Sequence, residues 1–463
     1  MITSPAFAGK RYAILGLARS GAAAAEALLA SGAQITVWDR QDVAREPFAG
    51  RCAIADPLTL DLTGFDGLIV SPGVPLNTHP IAAHAARYGV PVLGDIELFA
   101  LARPALLPHK VVGVTGTNGK STTVALVHHV LRMAGIPALL GGNIGEPIMA
   151  QDALEPNENG EGVYVLELSS YQIDLTVSLD PEVAALTNIT PDHLDRYDGF
   201  AGYAASKARL FDLQSPRGLA VFGALSGAAG EIFRAQQSRR PVGRAVAADV
   251  AALADLQPGW PSLQGPHNLE NAALAVAIAE ELGVKPAQWQ HAMPRFRNLP
   301  HRMERVCEED GVLFINDSKA TNTASTAPAL AAFPPHADIH GGTPRIHWIV
   351  GGLAKEDGLG ECADHFAAIA AAYTVGEAGP RFADLLDGQV PVVERCELIS
   401  EAVRRAREAS RPGDVVLFSP ACASFDQFRD YEKRGELFRQ LVGVIADCAV
   451  DCTPSSLLGD DLR

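Results

Sequence analysis

The residues of this chain that most clearly could do chemistry lie in a glycine-rich segment after a short apolar run. The run and the segment read Val111-Val112-Gly113-Val114-Thr115-Gly116-Thr117-Asn118-Gly119-Lys120-Ser121-Thr122. Glycines let backbone N–H groups approach phosphate oxygens, and the amino end of a following helix favours anions. Lys120 can reach terminal phosphates, and the Ser121 or Thr122 hydroxyl can bind Mg²⁺. The segment therefore predicts an ATP site formed by residues 116–122.

The phosphate segment departs from the usual NTPase loop. That motif has a glycine five positions before Gly119, where this chain has Val114, and its glycines stand at 113 and 116 instead. We therefore expect a variant of the loop.

Three residues further along could serve a metal ion or the transferring phosphate. Glu167 ends the apolar run 163–166, and a carboxylate at the carboxyl end of a parallel strand points into the ligand crevice. A Mg²⁺ ligand is its predicted role, and a helix cap before Ser169-Ser170 is the alternative. His193 and Lys207, judged alone, have the ordinary alternatives of a solvated histidine and a solvated surface lysine.

A second glycine-rich turn lies near the N-terminus, in Leu15-Gly16-Leu17-Ala18-Arg19-Ser20-Gly21. It is a degraded dinucleotide fingerprint, because Ala18 stands where the middle glycine belongs, and Asp39 ends the next apolar run. Alone it would suggest NAD binding, which leaves an NAD-dependent oxidoreductase as an alternative from another class. The separate phosphate segment counts against that alternative.

Short apolar runs alternate with helical stretches, which predicts parallel sheets covered by helices. The predicted strands are 11–15, 35–38, 67–70, 111–114, 163–166, 183–186, 312–315, 347–350, 373–375 and 415–418, and the predicted helices include 20–30, 121–133 and 267–282. Little is predicted for 212–262. Connectors at 103–109 and 295–301 divide the chain into three predicted α/β domains. These are a Rossmann-like domain at 1–105, a central domain resembling P-loop ATPases at 106–298 and a second Rossmann-like domain at 299–463.

The overall charge and hydropathy pattern exclude some classes of protein. The formal net charge is -16, and such an acidic surface repels nucleic-acid backbones. The N-terminus has no charged segment followed by a long apolar run, and the Ala-rich stretch at 21–30 is too short to span a bilayer. We therefore expect a cytoplasmic protein that binds neither nucleic acid nor membrane.

Eight segments taken together resemble the Mur ligases of bacterial cell-wall synthesis across nearly the whole chain. They are Gly116–Thr122, Gly141–Gly145, Glu167–Ser170, Asn188–Arg196, His267-Asn268 with Asn271, Leu299–Arg302, Asn316–Asn322 and Ser419–Asp426. The resemblance is weakest at 212–262 and in the tail from Asp447 to Arg463. Asp317–Asn322 and Ser419–Ser424 most resemble the members that add D-glutamate.

The resemblance implies an ATP-dependent ligase that joins D-glutamate to UDP-N-acetylmuramoyl-L-alanine through an acyl phosphate, in peptidoglycan precursor synthesis. It implies two Mg²⁺ ions held by Ser121, Glu167, His193 and a carbamylated Lys207, with Lys120, Lys207 and His193 as the catalytic residues. It assigns Asn268, Asn271, Arg302 and Asp317 to the nucleotide. It assigns to the other substrates Leu15, Gly16, Ala18, Arg19, Ser20, Asp39, Arg40, Ser71, Gly73, Asn143, Ser169, Lys319, Thr321, Lys355, Ser424 and Phe425. The expected oligomeric state is a monomer.

Some alternatives stay open within this resemblance. Better-known members carry an acidic residue near Leu353, and Glu356 or Asp357 could substitute for it. Folylpolyglutamate synthetase and the L-alanine-adding Mur enzyme are the nearest alternatives, and 317–322 argues against both. Addition of L-glutamate is not distinguished by sequence. A catalytically dead scaffold would require loss of Lys120, Glu167, His193 or Lys207, and all four are present.

Overall fold

The structure, a computed structural model, describes residues 1–446 as α/β, with three sheets in that part of the chain. The α/β class is confirmed, with a parallel sheet in each of the first two regions and a mixed sheet in the third. By contacts the chain divides into two compact units. The first contains Met1–Ala251 and Glu270–Met293, and the second contains Ala252–Leu269 and the chain from Pro294 onward. The three domain boundaries given above stay predictions, and the tail at 447–463 lies outside the described residues.

The first sheet has the strand order β3-β2-β1-β4-β5 and is parallel throughout. Its apolar strands are packed between helices, so β4 is buried along its whole length. The strands are β1 Arg11–Leu15, β2 Gln34–Trp38, β3 Ala53–Ile54, β4 Gly67–Val70 and β5 Val92–Leu93. The helices are α1 Arg19–Ala30, α2 Asp42–Arg45, α3 Ile81–Arg87 and α4 Asp95–Ala102.

The second sheet belongs to the same unit, has the order β11-β10-β9-β6-β8-β7, and is also parallel throughout. Its strands are β6 His109–Thr115, β7 Ala138–Gly142, β8 Gly162–Glu167, β9 Val183–Leu186, β10 Leu219–Phe222 and β11 Ala245–Ala247. The helices after β6 are α5 Lys120–Met133, α6 Ser170–Asp174, α7 Gly199–Leu213, α8 Gly227–Arg239, α9 Pro266–Glu281 and α10 Pro286–Ala292. The division between the two units falls within α9.

The third sheet forms the second unit, in the order β12-β13-β17-β14-β15-β16. Only its edge pair β12–β13 is antiparallel. Its strands are β12 Glu304–Glu309, β13 Val312–Asn316, β14 Ile346–Gly351, β15 Ile369–Val375, β16 Val393–Glu397 and β17 Val415–Phe418. Its helices are α11 Thr323–Ala331, α12 Gly379–Leu386, α13 Ile399–Ala409 and α14 Tyr431–Ile445. Within residues 1–446, no helix combines the length and apolar character that crossing a membrane requires.

The buried carboxylate of Glu97, on α4, is hydrogen-bonded to the segment that connects α6 with β9 of the second sheet. Its side-chain oxygens accept hydrogen bonds from the backbone N–H of Val177 at 2.6 Å, the N–H of Ser178 at 2.9 Å and the Ser178 hydroxyl at 2.6 Å. Three donors converging on one carboxylate form a strong contact, because hydrogen bonds to a charged acceptor are stronger than neutral ones. Glu97 therefore helps join the first two sheets.

We predict that Glu97→Ala lowers the free energy of unfolding of the first unit by about 2 kcal/mol, because the donors lose a charged acceptor. Glu97→Gln is the matched control, since its amide oxygen can still accept the backbone N–H groups, and it should lose clearly less. Urea denaturation of the three proteins measures the difference. An alanine variant as stable as the wild type would contradict this role of Glu97.

Candidate active site

The phosphate loop lies between the carboxyl end of β6 and the amino end of α5. Gly116 has φ 143° and Gly119 has φ 84°, a region of backbone conformation that favours glycine. A Cβ on Gly116 would lie 1.9 Å from Thr187 Oγ1, and a Cβ on Gly119 would lie 2.3 Å from Asn271 Oδ1. Both positions therefore require glycine for conformation and for space.

The loop is held by residues that follow β9. The backbone N–H of Thr117 donates to Asn188 O at 2.8 Å, and that of Asn118 donates to Asn188 Oδ1 at 2.9 Å. The hydroxyl of Thr187 donates to Asn118 O at 2.6 Å. The sequence analysis assigned no role to Thr187 or Asn188. Their position directly after a buried parallel strand was the available signal, because neighbouring strand ends lie at one edge of a sheet.

The lysines at 120 and 207 meet at the same carbonyl group. Lys120 Nζ donates to Gly116 O at 2.9 Å and to Thr117 O at 2.6 Å, and Lys207 Nζ donates to Gly116 O at 2.7 Å. Lys207 is 2% exposed, so the alternative of a solvated surface lysine is wrong. Burial, and next the charge of Lys120, lower the pKa of Lys207 to about 6.

Tyr203 lies one turn before Lys207 on α7 and was also missed by the sequence analysis. Lys207 Nζ lies 4.6 Å from the centre of the Tyr203 ring, and the Tyr203 hydroxyl lies 3.2 Å from Thr117 Oγ1. The buried ring and hydroxyl thus contact both the lysine and the phosphate loop. The spacing of four residues, which places two side chains on one helix face, could have indicated it.

Glu167, at the end of β8, lies against the first turn of α5. The Ser121 hydroxyl donates to Glu167 Oε2 at 2.5 Å, and Asn143 Nδ2 donates to Oε1 at 3.0 Å. The structure therefore brings Ser121, Glu167 and Asn143 together. Glu167 does not cap α6, as the alternative reading had it, because the cap is Ser169, which accepts from Gln172 N at 3.2 Å.

His193 lies in the loop after β9, with φ 51° and half of its side chain exposed. Its ring centre lies 5.3 Å from that of Tyr171, and its Nε2 lies 3.5 Å from Asp192 Oδ2. Among residues 1–446, no group of three or more His, Cys, Asp or Glu side chains is placed to hold a metal ion. The metal-binding roles of Glu167 and His193 stay predictions.

The turn after β1 packs closely and requires its glycines. A Cβ on Gly16 would lie 2.8 Å from Ser71 Cβ, and one on Gly21 would lie 1.9 Å from Gly16 O. Asp39 Oδ2 accepts from the N–H of Leu17 at 2.7 Å. The carboxylate of Asp39 therefore shapes the loop that holds the predicted substrate residues 15–20, while Arg40 beside it is exposed.

Contacts within the first unit connect this turn with the loops of the second sheet. Arg19 Nη2 donates to Gly145 O at 2.5 Å, in the loop that carries Asn143. Arg196 Nη2 donates to Pro72 O at 3.3 Å, between the predicted substrate residues Ser71 and Gly73. The substrate residues predicted in the first two sheets therefore belong to connected loops.

Asp317, one of the predicted site residues of the second unit, directly follows β13 and is buried. Its Oδ2 accepts from the Ser419 hydroxyl at 2.7 Å, and its Oδ1 accepts from Met303 N at 3.1 Å, next to Arg302. Burial raises the pKa of Asp317 to about 7, and its two hydrogen bonds and the charges of Arg302 and Arg434 oppose this shift. The contact with Ser419 joins the segments 316–322 and 419–426.

The residues predicted for the amino acid differ in exposure. Ser424 is buried, Phe425 is 69% exposed, Lys355 is exposed, and Thr321 is partly buried. Lys319 Nζ lies 5.1 Å from the centre of the Tyr431 ring. Of the residues predicted for the amino acid, Lys319 and Thr321 are thus partly exposed and Lys355 is exposed.

The acids near Leu353 have contacts of their own. Glu356 Oε2 accepts from the Thr323 hydroxyl at 2.6 Å, and Asp357 Oδ1 lies 3.3 Å from Arg381 Nη1. Leu353 itself is paired through its backbone with Ala423. The substitution of Glu356 or Asp357 for the acidic residue that other members carry near Leu353 stays a prediction.

The two predicted asparagines of α9 fall in different units. In the first, Asn271 Oδ1 accepts from the Thr123 hydroxyl at 3.3 Å and faces Gly119. In the second, the buried Asn268 donates from Nδ2 to Gln264 O at 3.0 Å. Asn271 is thus placed beside the phosphate loop, and the role of Asn268 at the nucleotide stays a prediction.

Comparison with known proteins gives two family models and close relatives. Residues 114–255 match the Mur ligase middle domain, and residues 301–422 match the Mur ligase glutamate ligase domain. The UDP-N-acetylmuramoylalanine–D-glutamate ligase of Novosphingobium aromaticivorans is 61% identical over 98% of this chain and 99% of its own. The ligase of the same name from Sphingopyxis alaskensis is 55% identical over 96% of this chain and 99% of its own.

Solved structures agree on the fold. The MurF ligase of Thermotoga maritima in complex with ADP has a TM-score of 0.55 and 16% identity, and covers 94% of this chain and 96% of its own. The UDP-N-acetylmuramate–alanine ligase of the same organism has a TM-score of 0.54 and 16% identity, and covers 93% of this chain and 98% of its own. With relatives more than half identical over almost their entire length, the chain belongs to the Mur ligase family.

Proposed function

We propose that the chain catalyses the ATP-dependent joining of D-glutamate to UDP-N-acetylmuramoyl-L-alanine, a step of peptidoglycan precursor synthesis. The observation that most strongly supports this proposal is that Lys120 and Lys207 both donate to Gly116 O. The hydrogen-bonded pair Ser121 and Glu167 lies beside them at the phosphate loop. The names of two relatives that are more than half identical to this chain support the same reaction. The enzyme is proposed to act as a cytoplasmic monomer.

In the first step, the alanyl carboxylate attacks the γ-phosphorus of ATP. A P–O bond to the carboxylate forms, the bond to the β–γ bridging oxygen breaks, and ADP leaves. Lys120 and the amino end of α5 stabilise the negative charge on the transferring group, which is the main contribution that a protein makes to phosphoryl transfer. Gly116 and Gly119 give the phosphates close access to the loop, and Asn271, Asn268, Arg302 and Asp317 are the proposed nucleotide contacts.

Two Mg²⁺ ions are proposed at Ser121, Glu167, His193 and Lys207. Hard oxygen donors suit Mg²⁺, and the hydroxyl of Ser121 already lies against the carboxylate of Glu167. When bound there, Mg²⁺ would supply positive charge that neutralises the charge of the transferring phosphate. Glu167 is the one anionic group among these four residues, and Lys207 would supply a second after modification.

Lys207 is proposed to react with CO₂. Its nitrogen would form a bond to the carbon of CO₂ and release a proton, which converts a cation into an anionic carbamate. Only the uncharged amine reacts, and a pKa of about 6 leaves the Lys207 amine mainly uncharged at neutral pH. Tyr203 and Gly116 O hold the side chain in one place.

In the second step, the amine of D-glutamate attacks the acyl carbon of the acyl phosphate. The amide bond forms, phosphate leaves and one proton is lost. Lys319, Thr321, Lys355, Ser424 and Phe425 are the proposed contacts, and two ammonium groups among them suit an amino acid with two carboxylates. The acyl phosphate has to be kept from water, so we propose that the domains close during the reaction.

The loops of the first unit are proposed to bind the nucleotide-sugar substrate. Asp39 and Arg40 would contact the uracil side, and Leu15 to Ser20 with Ser71 and Gly73 would hold the diphosphate. Asn143 and Ser169 would contact the muramoyl-alanine part. The bonds from Arg19 to Gly145 O and from Arg196 to Pro72 O support one continuous substrate surface.

We predict that the purified protein releases phosphate only when ATP, Mg²⁺, UDP-N-acetylmuramoyl-L-alanine and D-glutamate are all present. The dependence follows because an acyl phosphate forms only on the first substrate and is discharged only by the amine. A coupled phosphate assay measures it. L-Glutamate and L-alanine, tested in parallel, should give no release, and release that ignores D-glutamate would rule out the proposed substrate.

We predict that removing bicarbonate and CO₂ lowers the activity of the wild type, and that adding bicarbonate restores it. Lys207→Ala should lose at least about 10²-fold in kcat, because a metal ligand is missing. Short carboxylates such as formate should restore part of that loss, since they supply an anionic oxygen in the space left by the side chain.

The matched control is Lys10→Ala, which removes an exposed lysine of the same unit. It should keep wild-type activity and respond to bicarbonate as the wild type does. A wild type indifferent to bicarbonate, together with a Lys207→Ala variant that carboxylates do not rescue, would exclude the carbamate.

A further inference from the structure

Arg434, on α14, is a buried arginine to which the proposed reaction assigns no role. It is 2% exposed, and its guanidinium makes four hydrogen bonds. Nε donates to Ser318 Oγ at 3.1 Å, Nη1 donates to Ala423 O at 3.1 Å, and Nη2 donates to Ser318 O at 2.8 Å and to Cys422 O at 2.9 Å. Four of the five N–H groups of the planar fork are therefore used.

The acceptors lie on two different loops that carry proposed D-glutamate contacts. Ser318 directly precedes Lys319, and Ala423 directly precedes Ser424. A single guanidinium thus fixes the backbone of both loops one residue before a residue that has to meet the ligand.

A third loop meets the same group. A Cβ on Gly352 would lie 3.1 Å from Arg434 Nη1 and 2.6 Å from Ala423 O, so this glycine lets the loop approach the guanidinium. The next residue, Leu353, exchanges backbone hydrogen bonds with Ala423 at 2.9 Å in both directions. This loop leads to Lys355, the second lysine proposed for the amino acid.

The charge of Arg434 is notable because its four acceptors are uncharged oxygens. Burial lowers its pKa to about 10, so the guanidinium remains charged at neutral pH. A buried cation is costly unless its hydrogen bonds are made, which favours one well-defined geometry for the three loops.

We propose that Arg434 is a positioning residue for the acidic amino-acid substrate, which it serves by holding the loops of Lys319, Lys355 and Ser424 in register. This inference rests on the proposed function, because those loops are assigned to D-glutamate. Arg434 acts through the loops and need not touch the ligand. Lysine cannot replace it, since an ammonium group is a point donor without the planar fork.

The test compares Arg434→Lys with Arg240→Lys in the full-length enzyme, by measuring KM for each substrate and kcat. Arg240 is a matched control in the first unit: it is buried and also makes four hydrogen bonds to neutral acceptors, at Gln236 Oε1, Ser215 O, Gly218 O and Phe211 O. The segments to which Arg240 donates contain no residue proposed for D-glutamate. Both variants lose the fork, so their thermal stabilities show the cost common to a buried arginine.

Arg434→Lys should raise KM for D-glutamate by about tenfold or more, which corresponds to one or two lost hydrogen bonds of a charged group. KM for ATP and for UDP-N-acetylmuramoyl-L-alanine should stay within about twofold of the wild type. Arg240→Lys should leave all three KM values within the same range. An unchanged KM for D-glutamate in Arg434→Lys, or an equal rise in all three KM values, would overturn the inference.

If Arg434→Lys does not fold, Ser318→Ala tests the positioning role of Arg434 instead. It removes the acceptor of Nε but keeps the Ser318 carbonyl, so KM for D-glutamate should rise by about threefold, again without change for ATP. No selective rise in this variant would overturn the inference. A wild type that releases phosphate without D-glutamate would instead contradict the proposed function, so the two failures are distinguishable.

Discussion

The carbonyl oxygen of Gly116 is the point on which the active-site arrangement depends. It accepts from Lys120 Nζ at 2.9 Å and from Lys207 Nζ at 2.7 Å. Burial of Lys207, and next the charge of the Lys120 ammonium group on the same oxygen, lower the pKa of Lys207 to about 6. We propose that the same contact places Lys120 for the phosphates and keeps the Lys207 amine uncharged and able to react with CO₂.

Other contacts in the first unit hold the phosphate loop, and with it the Gly116 carbonyl, in place. The loop after β9 holds the phosphate loop through Thr187 and Asn188, and the end of β8 supplies Glu167 to Ser121. Parallel strands bring their carboxyl ends to one edge, so residues distant in sequence meet there. In the second unit, Arg434 has the corresponding task for the loops of the amino acid. In each unit, nitrogen atoms of long basic side chains donate to backbone carbonyls and so fix the loops.

The sequence predicted most of the fold because its strands are continuous apolar runs, and 11–15, 67–70, 183–186 and 415–418 agree with β1, β4, β9 and β17. The region 212–262 was left almost blank, yet it forms β10, α8 and β11, whose strands have only four and three residues. Among the site residues, the phosphate loop could be read directly. Lys207 was assigned only through the family resemblance, because its burial depends on contacts that the fold creates. Tyr203 could have been indicated only by its spacing from Lys207, and Arg434 could not be read from the sequence. Local pattern contains no information about which distant carbonyl a side chain will reach.

We infer that the terminal phosphate of ATP is transferred to the alanyl carboxylate, which then becomes an amide. An isotope-transfer experiment tests it most directly, with ¹⁸O in the alanyl carboxylate of UDP-N-acetylmuramoyl-L-alanine. Attack of that carboxylate on phosphorus leaves its oxygen on the phosphate when the amine displaces it. Each phosphate released in the D-glutamate-dependent reaction should carry one oxygen from the labelled carboxylate, as seen by mass spectrometry. Unlabelled phosphate formed together with the amide product would contradict it.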